Sequence, residues 1–163
     1  MIQLDELFID CSCDTLKQLT ERIEDCLTRL TPEQVWARSG KSDNSIANLV
    51  LHLCGNVTQW IGSGIGGLPD NRRRDEEFAA RGGLKPEDLA EKLHAVVEDA
   101  IPIIREQTAE HLAEIIQPQG YTVSVLEAIY HVVEHFAQHT GQIMFATKMI
   151  LDQDLGYYKH LSA

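Results

Sequence analysis

Ser124-Val-Leu-Glu-Ala-Ile-Tyr-His131-Val-Val-Glu-His135-Phe-Ala-Gln-His139-Thr-Gly-Gln-Ile143-Met-Phe-Ala-Thr-Lys-Met-Ile150-Leu151 is the stretch whose reading decides the fold. Ser124 with Glu127 three residues on is a capping box, and apolar residues then recur at three- and four-residue steps, so the stretch predicts one long amphipathic helix. On a helical wheel its apolar residues define a centre. His139 falls roughly 40° from that centre, His135 roughly 80° and His131 roughly 120°. His135 and His139, four apart, can therefore converge on one point of the apolar side, while His131 is expected on the polar margin with Glu127, Glu134 and Gln138.

The same periodicity runs outward through the chain. Leu4, Leu7, Cys11, Leu19, Ile23, Cys26 and Leu30 predict a first long helix of about 3–30. Thr31-Pro-Glu-Gln34 opens a short helix to Arg38. Ser45 caps a second long helix to about residue 61, and Pro86 starts a third that reaches about Gln107, with Pro102 expected to kink it. Gly62-Ser-Gly-Ile-Gly-Gly67 reads as a helix stop, and as a hinge or lid. Asp70 or Asn71 would cap a short piece through Phe78, and Gln117 to Gly120 is a turn. No convincing β alternation is present. The expectation is an all-α four-helix bundle, one domain over 1–163, with a long cross-connection between the second and third long helices and a loose extension from Leu155 to Ala163.

Composition narrows function. Fourteen Lys and Arg against 25 Asp and Glu give a net charge of −11, so a nucleic-acid partner is not expected. No apolar run is long enough for a membrane span, no secretory signal is evident, and four cysteines without paired spacing suit free thiols in a cytoplasm.

The second helix carries no Asp, Glu, Lys or Arg from Asn44 to Pro69 and contains a stripe of Asn48, His52 and Asn56. A solvent-facing stripe normally carries charge, so this one reads as lining a cavity or a protein interface. If this helix neighbours the last one, His52, His135 and His139 form a three-nitrogen site for one divalent metal, zinc or nickel. Three ligands with open positions suit a catalytic ion that activates water or a thiol, and Gln142, Asn56 and Gln138 are candidate supporting groups. The competing reading is that each buried imidazole only bonds a carbonyl. His94, His111 and His160 are expected to be solvated. Arg72-Arg73-Arg74-Asp75-Glu76-Glu77 reads as a solvated helix with Arg72–Glu76 and Arg73–Glu77 pairs, or as a source of an arginine for an anionic substrate. Trp36 and Trp60 read as packing residues.

Asn48-Leu-Val-Leu-His52-Leu, His135-Phe-Ala-Gln-His139-Thr-Gly-Gln-Ile143, Thr31-Pro-Glu-Gln-Val-Trp36 and Arg74-Asp-Glu-Glu-Phe78 together resemble the DinB-like superfamily of metal-binding four-helix bundles, in a subgroup of uncharacterised bacterial proteins. The resemblance spans essentially the whole chain. It implies a divalent metal on His52, His135 and His139. Some members are metal-dependent thiol transferases using bacillithiol, mycothiol or glutathione, which implies a small-molecule substrate and a role in detoxification or stress response. The superfamily's name reflects DNA-damage induction, not DNA binding. Three functional readings follow: a thiol transferase or related hydrolase, a non-catalytic metal- or ligand-binding protein, and a dimeric interaction protein. A homodimer is expected, with the uncharged second helix, and Val57 on it, as the candidate dimer face.

Overall fold

The computed structural model describes residues 3–159. Seven α-helices account for most of them: α1 (Leu4–Thr28), α2 (Pro32–Trp36), α3 (Ile46–Val57), α4 (Arg74–Ala79), α5 (Pro86–Arg105), α6 (Ala109–Leu112) and α7 (Val125–Leu151). The four long ones form the bundle. α1 packs on α5 and α7, and α3 packs on the same two helices from the other side, so the ring runs α1–α5–α3–α7. Leu16 and Ile23 of α1, Leu53 of α3, Leu89 and Leu93 of α5 and Ile129, Phe136 and Ile143 of α7 are wholly buried at its centre. Burying each such side chain contributes about 1.5–3 kcal/mol.

The helix starts follow their sequence signals. Thr31, Ser45 and Ser124 each accept from the backbone N–H three residues on, and each box is completed by Gln34, Asn48 and Glu127. Pro86 occupies the first turn of α5, and Pro102 lies three residues before its end at Arg105. One small feature was not anticipated. Ile115–Ile116 and Val123–Ser124 pair as a two-stranded antiparallel ribbon leading into α7.

Three expectations need correction. Gly62–Gly67 does end the helix, but slightly later than expected and packed against its neighbours instead of standing open: α3 runs on as a π-helical segment, Thr58–Ser63, with Gly64 N–H donating to the Gln59 carbonyl at 2.9 Å and Gly66 N–H to Ile61 at 2.9 Å. Gly64 and Gly66 are tight packing positions. A Cβ on Gly66 would lie 2.8 Å from the Ile103 side chain, and one on Gly64 would lie 3.2 Å from Pro118. The C-terminal segment is docked as far as it is described: Leu155 is buried, and the Tyr157 hydroxyl donates to Asp25 Oδ2 at 2.6 Å. Residues 160–163 of that segment, His160 among them, lie outside the described range. The uncharged second helix is not a dimer face, because α3 is the most enclosed helix of the bundle and Val57 is 1% exposed. Its missing charges reflect burial on all sides.

Among the described residues no helix is long and apolar enough to cross a membrane.

Candidate metal centre

Because α3 and α7 are neighbours, His52 meets the His135/His139 pair. His52 Nε2 lies 3.1 Å from His135 Nε2, and His139 Nε2 lies 3.1 Å from the same atom. One ligand atom from each of the three lies within 4.8 Å of the other two, and no other Cys, His or carboxylate joins the group among the described residues. His52 is buried, and the other two are half-buried.

The hydrogen bonds around the ring fix which nitrogens are bare. Glu77 Oε2 sits 2.9 Å from His52 Nδ1. A carboxylate only accepts, so the proton belongs on Nδ1 and the Nε2 lone pair faces the cluster. Arg72 Nη2, 3.1 Å from the same Nδ1, directs its two hydrogens to Glu77 Oε2 at 2.9 Å and the His52 carbonyl at 3.4 Å. At His139, Nδ1 donates to Gln142 Oε1 at 2.8 Å, which again turns Nε2 inward. Two lone pairs therefore converge on His135 Nε2, while His135 Nδ1 is buried without a partner. Imidazoles alone leave this arrangement poorly satisfied, and a cation at the convergence point resolves it. The spacing fits: ligands at about 2.1 Å from one ion, at tetrahedral or octahedral angles, lie about 3.0–3.4 Å apart. The three histidines could hold one metal ion.

Electrostatics favour neutral rings. Burial, reinforced by the neighbouring histidines, pushes His135 down to about 3. Burial also lowers His139, against the Gln142 hydrogen bond, and lowers His131. Metal ligation requires neutral imidazole, so these shifts keep His135 and His139 in their binding form at neutral pH.

Glu77 and Arg72 were not identified in the sequence as site residues. Arg72 pairs bidentately with Glu77, Nε to Oε1 at 2.8 Å and Nη2 to Oε2 at 2.9 Å, with the two side chains 5% and 11% exposed. Arg72 Nη1 also donates to Gln59 Oε1 at 2.9 Å, and Gln59 Nε2 to Asp70 Oδ2 at 2.8 Å. Burial would raise the Glu77 carboxyl, but its bonds from Arg72 and His52 outweigh that and hold it below the usual range. The expected Arg72–Glu76 and Arg73–Glu77 pairs are thus replaced by a buried Arg72–Glu77 pair and an exposed Arg73–Glu76 pair. The reason is that α4 begins only at Arg74, so Arg72 lies outside the helix and folds back under it. Asn48 secures this strap, donating from Nδ2 to the carbonyls of Glu77 and Ala80. Gly55 makes room: a Cβ there would run into the Glu77 carboxylate and lie 2.8 Å from Arg72 Nε.

Beside the cluster lies a cavity of about 540 Å³, walled by His52, His135, Asn56, Trp60, Tyr121 and His131. His131 lies at the margin of α7, half-buried, close enough to Glu134 to feel its charge and on the same cavity wall as Glu127. Its ring stacks between Trp60 at 4.0 Å and His135 at 5.6 Å between centroids. Trp60 is a packing residue that also forms cavity wall; Trp36 only packs, donating to the Leu84 carbonyl at 2.8 Å. Asn56 Oδ1 is buried and unpartnered. Of the expected supporting groups Gln142 bonds a ligand, Asn56 lines the cavity, and Gln138 is exposed. His94 is exposed and paired with Glu24, and His111 is exposed.

The all-α bundle is of the DinB-like class. The chain belongs to the DinB-like family described as "Protein of unknown function (DUF1572)", whose model matches residues 3–162. Three solved structures share the fold. A conserved protein from Enterococcus faecalis has 17% identity and a TM-score of 0.75, over 94% of this chain and 100% of that one. A DinB-like protein from Bacillus cereus ATCC 10987 has 15% identity and a TM-score of 0.65, over 81% of this chain and 85% of that one. A mutant of mycothiol-dependent maleylpyruvate isomerase has 16% identity and a TM-score of 0.65, over 83% of this chain and 60% of that one. No curated protein matches.

Proposed function

We propose that the protein is a metal-dependent enzyme in which His52, His135 and His139 hold one divalent ion, zinc or nickel, for transfer of a small thiol to an electrophile. One observation carries this reading: three imidazoles converge beside an open cavity, and no fourth protein ligand closes the group among the described residues. A divalent ion there supplies Lewis acidity, which makes a bound thiol or water reactive near neutral pH. The protein's own groups do the rest. Glu77 keeps the His52 proton on Nδ1, and Gln142 does the same for His139. Trp60 and Tyr121, with ring centroids 5.9 Å apart, give the cavity an apolar wall for the electrophile. Arg74 on the rim offers a cation to a carboxylate of the substrate. A protein of the same fold acts with mycothiol, which supports a thiol over water as the nucleophile.

The test has two readouts. Protein loaded with cobalt as a spectroscopic substitute is titrated with low-molecular-weight thiols, and a sulfur-to-metal charge-transfer band is expected. Zinc- and nickel-loaded protein is then assayed for thiol conjugation to model electrophiles, where a rate dependent on His135 is expected. No band and no His135-dependent rate with any thiol would remove the transferase reading and leave hydrolysis or non-catalytic binding.

A further inference from the structure

α7 turns its histidines inward and an unpartnered face outward. Tyr130, Phe145 and Met149 on that face are 60%, 68% and 68% exposed, among the largest apolar exposures in the described residues. Between them lie Ala137 and Gly141, both exposed. Gly141 has no explanation within one chain: it sits in mid-helix, where glycine is unfavourable, and an added Cβ would meet nothing within 4 Å. Close approach of a second backbone explains it.

We propose that this face binds the same face of a second copy, with the two α7 helices antiparallel across a two-fold axis at Gly141. The sequence along the helix is complementary to itself about that point. Glu134 and Lys148 are the only charged residues on the face between Tyr130 and Met149, each seven residues from Gly141. Antiparallel pairing therefore sets each Glu134 opposite a Lys148 of the other copy. Lys148 is free to make the contact, since its bond to Asp154 is long, at 3.5 Å, and exposed. Ala137 and Phe145, four residues to either side, place the large ring of one copy over the small residue of the other. Tyr130 lies eleven residues before the axis and Asp152 eleven after. A concavity of about 380 Å³ lined by Phe145, Lys148, Met149 and Asp152 stands where the opposite Tyr130 would enter. Such an isologous contact closes at two subunits. His135 and His139 point away from it, so the metal centre stays accessible and the inference is independent of the proposed activity.

Sedimentation equilibrium of the full chain tests it, with circular dichroism to check folding. The wild type is expected to be a dimer. Glu134→Lys and Lys148→Glu should each weaken the dimer by about tenfold or more, because each reversal places two like-charge pairs in one interface. The double reversal should return to within about threefold of wild type, the pairs being restored with exchanged signs. Gly141→Leu should be monomeric, fully helical and no less heat-stable, which a structural glycine would not allow. A monomeric wild type, a dimer indifferent to the single reversals and to Gly141→Leu, or a double variant no tighter than the singles would each overturn the proposal.

Discussion

Replacing Glu77 by Gln keeps the shape of the strap and removes one negative charge from a buried network. Arg72, 5% exposed, would then face a neutral amide. The amide must also turn an N–H toward either Arg72 or His52, both of which donate to the native carboxylate. Stripping one partner from a buried ion pair costs about 3–5 kcal/mol, because the charge left behind is not resolvated. For a chain of this size each kcal/mol is worth about 2–4 °C, so the apo-protein should melt roughly 6–20 °C lower. The second consequence concerns the metal. Loss of an outer carboxylate on a ligand histidine typically lowers affinity by about 10–100-fold, or about 1.4–2.7 kcal/mol. Differential scanning calorimetry of apo-protein and competition titration with a chromophoric chelator measure the two effects separately. A variant that melts with wild type and binds metal as tightly would refute the assignment of Glu77 as the group that orients His52.

His52→Ala and His135→Ala should each lose most bound metal while far-UV circular dichroism stays helical, because each removes one of three ligands. Gly55→Ala touches no ligand, yet its Cβ would collide with Glu77 and crowd Arg72. It should therefore lower both metal affinity and stability, the latter by about 1–3 kcal/mol in chemical denaturation, and a neutral result would mean the strap yields freely. Cys13, Cys26 and Cys54 are buried, with burial raising all three thiols and pushing Cys54 up to about 12. Iodoacetamide at mild alkaline pH should label the exposed Cys11 alone in the native protein and all four cysteines in guanidinium, as mass spectrometry would show. Zinc at about a thousandfold over its Kd should stabilise wild type by about 4 kcal/mol and leave His135→Ala nearly unchanged.

The bundle was legible because burial is written into helical period: Ser124 with Glu127 and the spacing from Val125 to Ile150 specify α7 almost to the residue. The histidine cluster was legible for the same reason, since four-residue spacing brings His135 and His139 together and the charge-free second helix marks His52 as buried. The strap was not. Whether Arg72 pairs with Glu76 or Glu77 depends on where α4 begins, and nothing in a run of Arg and Glu fixes that point. Gly55 and Asn48 held the missing signal, as a space without a side chain and an uncharged polar group, both of which serve atoms about twenty to thirty residues away. The Gly62–Gly67 run was read correctly as the end of the helix, but its packing was not foreseen, because an open connection and a tight helix contact use the same residue type. Only the opposing Ile103 and Pro118 distinguish them.

The central claim is that one ion sits on three imidazoles with room left for a substrate atom. X-ray absorption of the zinc- or nickel-loaded full chain, purified without a histidine tag, tests it directly. The account predicts one ion per chain, three imidazole nitrogens at about 2.0–2.1 Å and added oxygen scattering that gives way to sulfur when a thiol is supplied. Fewer than two imidazoles, or a shell already filled by protein sulfur before any thiol is added, would contradict it.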